Sequence, residues 1–123
     1  MKTLKDLKVG DEVLVFAKGR VNLPDRLHVL KVGKELIHVG DKDHPIIPVR
    51  KYRVEDGFSN DKLHPDRSYI MTPEMHAYSR KVAHANGRIF KFGLSLARRM
   101  TNEEVLEIDR RLQDMPGYPK EGL

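Results

Sequence analysis

Cysteine and tryptophan are both absent from these 123 residues. Without cysteine there is no disulfide scaffold, thiolate zinc site, cysteine nucleophile or iron–sulfur cluster. Long apolar runs are missing too. None approaches the roughly 18 residues of a membrane span, and Met1-Lys2-Thr3-Leu4-Lys5-Asp6 lacks the apolar core of a signal peptide. A soluble, cytoplasmic chain without a membrane partner is expected. The nine glycines are scattered singly, so no phosphate-cradling loop forms. Ser59, Ser68, Ser79 and Ser95 stand in no nucleophile-elbow context. Among six histidines no pair has the i, i+4 spacing of a helical zinc site. His38, Asp41, Asp43 and His44 cluster in sequence, but a solvated turn explains them. Asp61 and Asp66 are read as loop residues rather than as a buried acid–base pair. No catalytic residue, metal ligand or cofactor is therefore expected, and the chain is read as not an enzyme.

What is present is charge, unevenly distributed. Lysine and arginine number 23 against 18 acidic residues, a net +5. Residues 1–44 carry +2 and residues 45–71 carry +1, whereas residues 72–100 carry +5 and residues 101–123 carry −3. The excess thus belongs to one stretch, with Arg80, Lys81, Arg88, Lys91, Arg98 and Arg99 opposed only by Glu74. Such asymmetry points to a polyanion partner more than the total does.

The first seventy residues read as short strands. Glu12 to Ala17 is a β-branched run between turn residues, and Arg26 to Val32 follows a loop marked by Pro24 and Asp25. Gly33-Lys34 separates this from Glu35 to Val39 at the spacing of a tight hairpin. Ile47 to Val54 reads as a strand with Pro48 at an edge, and Tyr69-Ile70-Met71 as a last short one. About five such strands predict a small closed barrel, which removes exposed edges. The pattern changes at Thr72-Pro73-Glu74, where Thr caps a helix, Pro takes its first position and Glu meets the dipole. Met75, Tyr78, Val82 and Ala85 form its apolar stripe, and Asn86-Gly87 is expected to stop it. A short helix is expected over residues 93–100. Thr101-Asn102-Glu103-Glu104 is a capping box for a last helix with Val105, Ile108, Leu112 and Met115 on its buried side. The expected layout is α+β: a barrel over residues 1–71, a helical extension packed on it over 72–115, and a flexible tail over 116–123.

Val9-Gly10-Asp11-Glu12-Val13, Val29 to Val39, Tyr52 to Gly57 and Ile70-Met71-Thr72-Pro73-Glu74, in this order, resemble the layout of small SH3-like β-barrel proteins encoded by bacteriophages. The resemblance covers most of the chain up to residue 75. It implies an SH3-like barrel of phage origin, a host bacterial cytoplasm as its setting, and no catalytic residue. The opening strand is also similar to barrels of the KOW type, whose Gly-rich loop this chain lacks.

Two features suit binding. Arg88-Ile89-Phe90-Lys91-Phe92 alternates cations with aromatics, as single-strand binding surfaces do. Phe90 and Phe92 are two of only four phenylalanines, however, and are expected in the core. The second feature is a barrel face bearing Arg50, Lys51, Tyr52 and Arg53, extended by Arg80, Lys81, Arg98 and Arg99. The expected function is a non-catalytic phage accessory protein binding nucleic acid or a nucleoprotein through Arg50, Lys51, Arg53, Arg80, Lys81, Arg88, Lys91, Arg98 and Arg99. The competing reading is an interaction module that modulates or inhibits a host bacterial protein. A homodimer formed through the amphipathic helices is the third.

Overall fold

In the computed structural model, which describes residues 1–17, 24–43, 49–60, 68–93 and 100–123, five strands form. They are β1 (Glu12–Phe16), β2 (Asp25–Val32), β3 (Leu36–Gly40), β4 (Arg50–Arg53) and β5 (Tyr69–Met71). All pair antiparallel in the order β4-β3-β2-β1-β5. Residues 58 and 59 link the two ends of the sheet, because Ser59 bridges to Tyr52 of β4 and Phe58 to Tyr69 of β5. The result is the expected small five-strand barrel, nearly closed. Alternation fills its interior with Val13, Val15, Val29, Ile37, Val39, Tyr52 and Ile70, joined by Leu4 and Leu7. Each such side chain contributes roughly 1.5–3 kcal/mol by leaving water. Tyr52 keeps its hydroxyl satisfied inside, 3.0 Å from the Ser68 hydroxyl.

The strand expected from Ile47 shortens to Arg50–Arg53, with residues 47 and 48 outside the described ones. Tyr52 is fully buried, so the face drawn from Arg50 to Arg53 is split by the pleat: Lys51 and Arg53 point out where Tyr52 points in.

The chain divides into two units, residues 1–76 and 77–123. Helix α1 (Pro73–Lys91) begins in the first. Thr72 caps it as expected, its hydroxyl accepting from the Met75 N–H at 3.0 Å while donating to the Lys2 carbonyl at 2.6 Å. The helix does not stop at Asn86-Gly87. It runs to Lys91, with Val82, Ala85 and Ile89 buried along one stripe, and Gly93, at φ 92°, follows its end. Gly87 serves close approach instead: an added Cβ there would overlap the Gly122 carbonyl. The short helix expected over residues 93–100 falls largely on residues outside the described ones.

Helix α2 (Asn102–Leu112) opens on the expected capping box, with the Thr101 hydroxyl accepting from the Glu104 N–H and the Glu104 carboxylate accepting from the Thr101 N–H. Val105 is buried on it, but Met115 is exposed and Asp109 takes a buried position in the stripe. The segment expected to trail as a tail is tied back: Tyr118 is buried with Val82, Ala85, Ile89 and Val105, and Gly122 lies against the His84 carbonyl.

Candidate functional site

The outer face of the barrel is set by register. Lys31 of β2 stands opposite His38 of β3, and His38 stands opposite Lys51 of β4. These three cationic or titratable side chains therefore form one row across three strands. A β-bulge between Val29 and Lys31 brings Lys31 into it. Burial, then the positive charges of Lys51 and Lys31, push the His38 imidazole below its ordinary value of 6.5.

A second row runs beside the first. Arg53 stands opposite Leu36 across β3 and β4, and its N–H donates to the Phe58 carbonyl at 2.9 Å. Phe58 in turn bridges to Tyr69, which stands opposite Phe16. The rings are ordered: Tyr69 stacks on Phe16 with centroids 5.2 Å apart and planes 13° from parallel, and Phe58 leans on Tyr69 at 5.8 Å and 52°. His76 tilts against Phe16 at 5.0 Å and 49°. Phe16 is buried, whereas Phe58 is 48% exposed. Asn60, whose N–H donates to the Lys51 carbonyl at 2.9 Å, joins this row to the cationic one.

Arg53 is oriented by Asp56 through two hydrogen bonds, Nε to Oδ1 at 3.1 Å and Nη2 to Oδ2 at 2.6 Å. Both partners remain well exposed, so the pair holds the hairpin tip with little net stabilisation. Next to it a cleft of about 540 Å³ is lined by Lys5, Lys34 and Arg53 with Glu35, Glu55 and Asn60 among its walls.

The helical candidates divide. Arg80 and Lys81 are exposed on α1, and exposed Lys91 donates to the Glu121 carbonyl at 3.1 Å. Arg88 is committed within its unit: Nε and Nη2 reach the two oxygens of Asp109 at 2.8 and 2.6 Å. This pairing holds the Asp109 carboxyl below the usual carboxylate range, aided by hydrogen bonds from Tyr118 and Gln113. Arg98 and Arg99 lie outside the described residues. The two phenylalanines expected in the core part company. Phe92 packs edge-on against Tyr118 at 5.2 Å, while Phe90 is 75% exposed because Ile89 takes the buried position. The acidity of α2 is offset locally, since Arg110 and Arg111 both bind Glu107 and lower its carboxyl to about 2.

Lys31, His38, Phe58 and Tyr69 were not among the residues expected to bind. Period-two alternation marks Lys31 and His38 as non-core positions; His38 faces Lys51 through the regular β3–β4 register, but only the bulge in β2 brings Lys31 opposite His38. Asp41 caps its own turn, accepting from the Asp43 N–H at 2.9 Å, and His44 lies outside the described residues. Among the described residues no three His, Asp or Glu side chains gather as a metal site, and no helix is long and apolar enough to cross a membrane.

A family model matches residues 1–113, that of the phage ProQ C-terminal-like domain. No curated protein and no solved structure matches.

Proposed function

The chain belongs to the phage ProQ C-terminal-like domain family, and from this premise we propose that it is a non-catalytic nucleic-acid-binding domain of a phage. The observation that carries the reading is the Lys31, His38 and Lys51 row on the outer barrel face. The ProQ-like family supports RNA as the first polymer to test. Phosphates are recognised by clustered cations through counterion release, which needs closely spaced charges and little sequence reading. Lys31 and Lys51 supply the permanent charges, His38 a conditional one, and Arg53 a guanidinium already oriented by Asp56. Arg50 within the barrel unit and, separately, Arg80, Lys81 and Lys91 within the helical unit are further candidate phosphate contacts. Arg88 is left out, because its guanidinium is occupied by a nearly buried carboxylate.

A gel-shift titration with RNA and DNA, each single-stranded and duplex, at low and at raised salt tests this reading. Binding that weakens with salt is expected. Failure to bind any of the four at low salt overturns it, and nuclease-resistant capture of a single host protein would then point to the interaction-module alternative.

A further inference from the structure

Phe58 is an unusual surface residue, half exposed yet fixed in orientation. It leans on Tyr69, which is stacked on buried Phe16, so three rings are ordered before any ligand arrives. An exposed aromatic held this way loses little freedom on binding. Its neighbours are cationic: Arg53 lies across the hairpin from Phe58, and Lys51 lies across from Asn60. Adjacent strands are about 4.8 Å apart, so a flat ligand seated on Phe58 carries its attached charge over Arg53 and Lys51.

We propose that Phe58, backed by Tyr69, is a stacking ledge for an unpaired nucleobase, and that the protein therefore takes single-stranded rather than duplex nucleic acid. The proposal rests on the nucleic-acid reading above and adds the strandedness of the ligand. A base inside a duplex has both faces covered by its neighbours and offers the ring nothing, whereas an unpaired base offers a π-face to any aromatic that meets it. The adjoining Lys31, His38 and Lys51 row then holds the phosphates on either side. The exposed amide of Asn60 sits between ledge and row, with a donor and an acceptor for a base edge.

Fluorescence anisotropy with a labelled mixed-sequence RNA, as a single strand and as a duplex, tests this on the full chain. The wild type should prefer the single strand. Phe58→Ala should lower single-strand affinity by roughly tenfold to a hundredfold and leave duplex affinity unchanged. Phe58→Tyr should retain binding. Phe58→Leu keeps an apolar contact on Tyr69 without a π-face, so it should lose affinity as Phe58→Ala does, and it separates stacking from loss of fold. Equal affinity of Phe58→Ala and wild type for the single strand, or an equal loss on both ligands, overturns the ledge while the nucleic-acid reading stands. A wild type that binds neither ligand overturns both.

Discussion

His38 stands between two lysines, opposite Lys31 on one side and Lys51 on the other. Partial burial, and then their charges, push the imidazole below its ordinary value of 6.5 and favour its neutral form in the free protein. Phosphates laid along the row favour the protonated form. Affinity for RNA should therefore rise as pH falls from about 7.5 to about 5.5, and His38→Ala should flatten that rise. Folding stability should move the other way, because a histidine with a depressed folded value loses its contribution as pH falls through that value. Anisotropy and thermal melts over the same pH series check both signs. Affinity independent of pH in the wild type contradicts the role given to His38.

The Asp109 carboxylate receives four hydrogen bonds, from Arg88 Nε and Nη2, the Tyr118 hydroxyl and Gln113 Nε2. Asp109→Asn should cost about 3 kcal/mol, since it removes the charge opposite the mostly buried Arg88 guanidinium and turns one of its two acceptor oxygens into a donor. Tyr118→Phe should cost only about 1 kcal/mol. As the folded Asp109 is held below 3.8, the stability it provides is present above that value and lost as pH falls through the depressed one. Chemical denaturation of the variants, and of the wild type at acid pH, measures each term. Neither substitution should alter RNA affinity in the folded protein.

Gly87 lies inside α1, where alanine normally stabilises a helix by about 1 kcal/mol. Here an added Cβ overlaps the Gly122 carbonyl, so Gly87→Ala should destabilise the chain. Deleting residues 121–123 removes that obstacle, and in the shortened chain the same substitution should become stabilising. A double-mutant cycle by thermal melting reads the change of sign. The same sign in both backgrounds contradicts the close approach of the two glycines.

Local chemistry made part of this fold legible. The Thr72 cap, the Thr101 and Glu104 box and the three-residue strand at Tyr69 depend on residues within a turn of each other, and such signals survive without tertiary knowledge. Gly87 misled because a glycine that ends a helix and one that admits a neighbouring backbone look alike in sequence; the second needs Gly122, far along the chain. Asp109 fits the apolar spacing of α2, but its burial follows from Arg88, 21 residues earlier. The face proposed to bind was half visible. Lys51 and Arg53 were already candidates from the sequence, whereas Lys31 comes beside them only through a bulge, and Phe58 only through a hairpin closed on β5. Tyr52 was placed on that face although its pleat partners already assigned it to the interior.

The Lys31, His38 and Lys51 row is proposed to bind nucleic-acid phosphates. The slope of log Kd against log salt concentration counts the phosphates neutralised, and charge reversal at the row should change it where charge reversal elsewhere does not. For Lys31→Glu combined with Lys51→Glu, RNA affinity should fall roughly tenfold or more at low salt, and the slope should become shallower by about one to two units. A control reversal at Arg26, which already pairs with Glu12, should leave the slope alone. An unchanged slope in the Lys31 and Lys51 double variant contradicts the account.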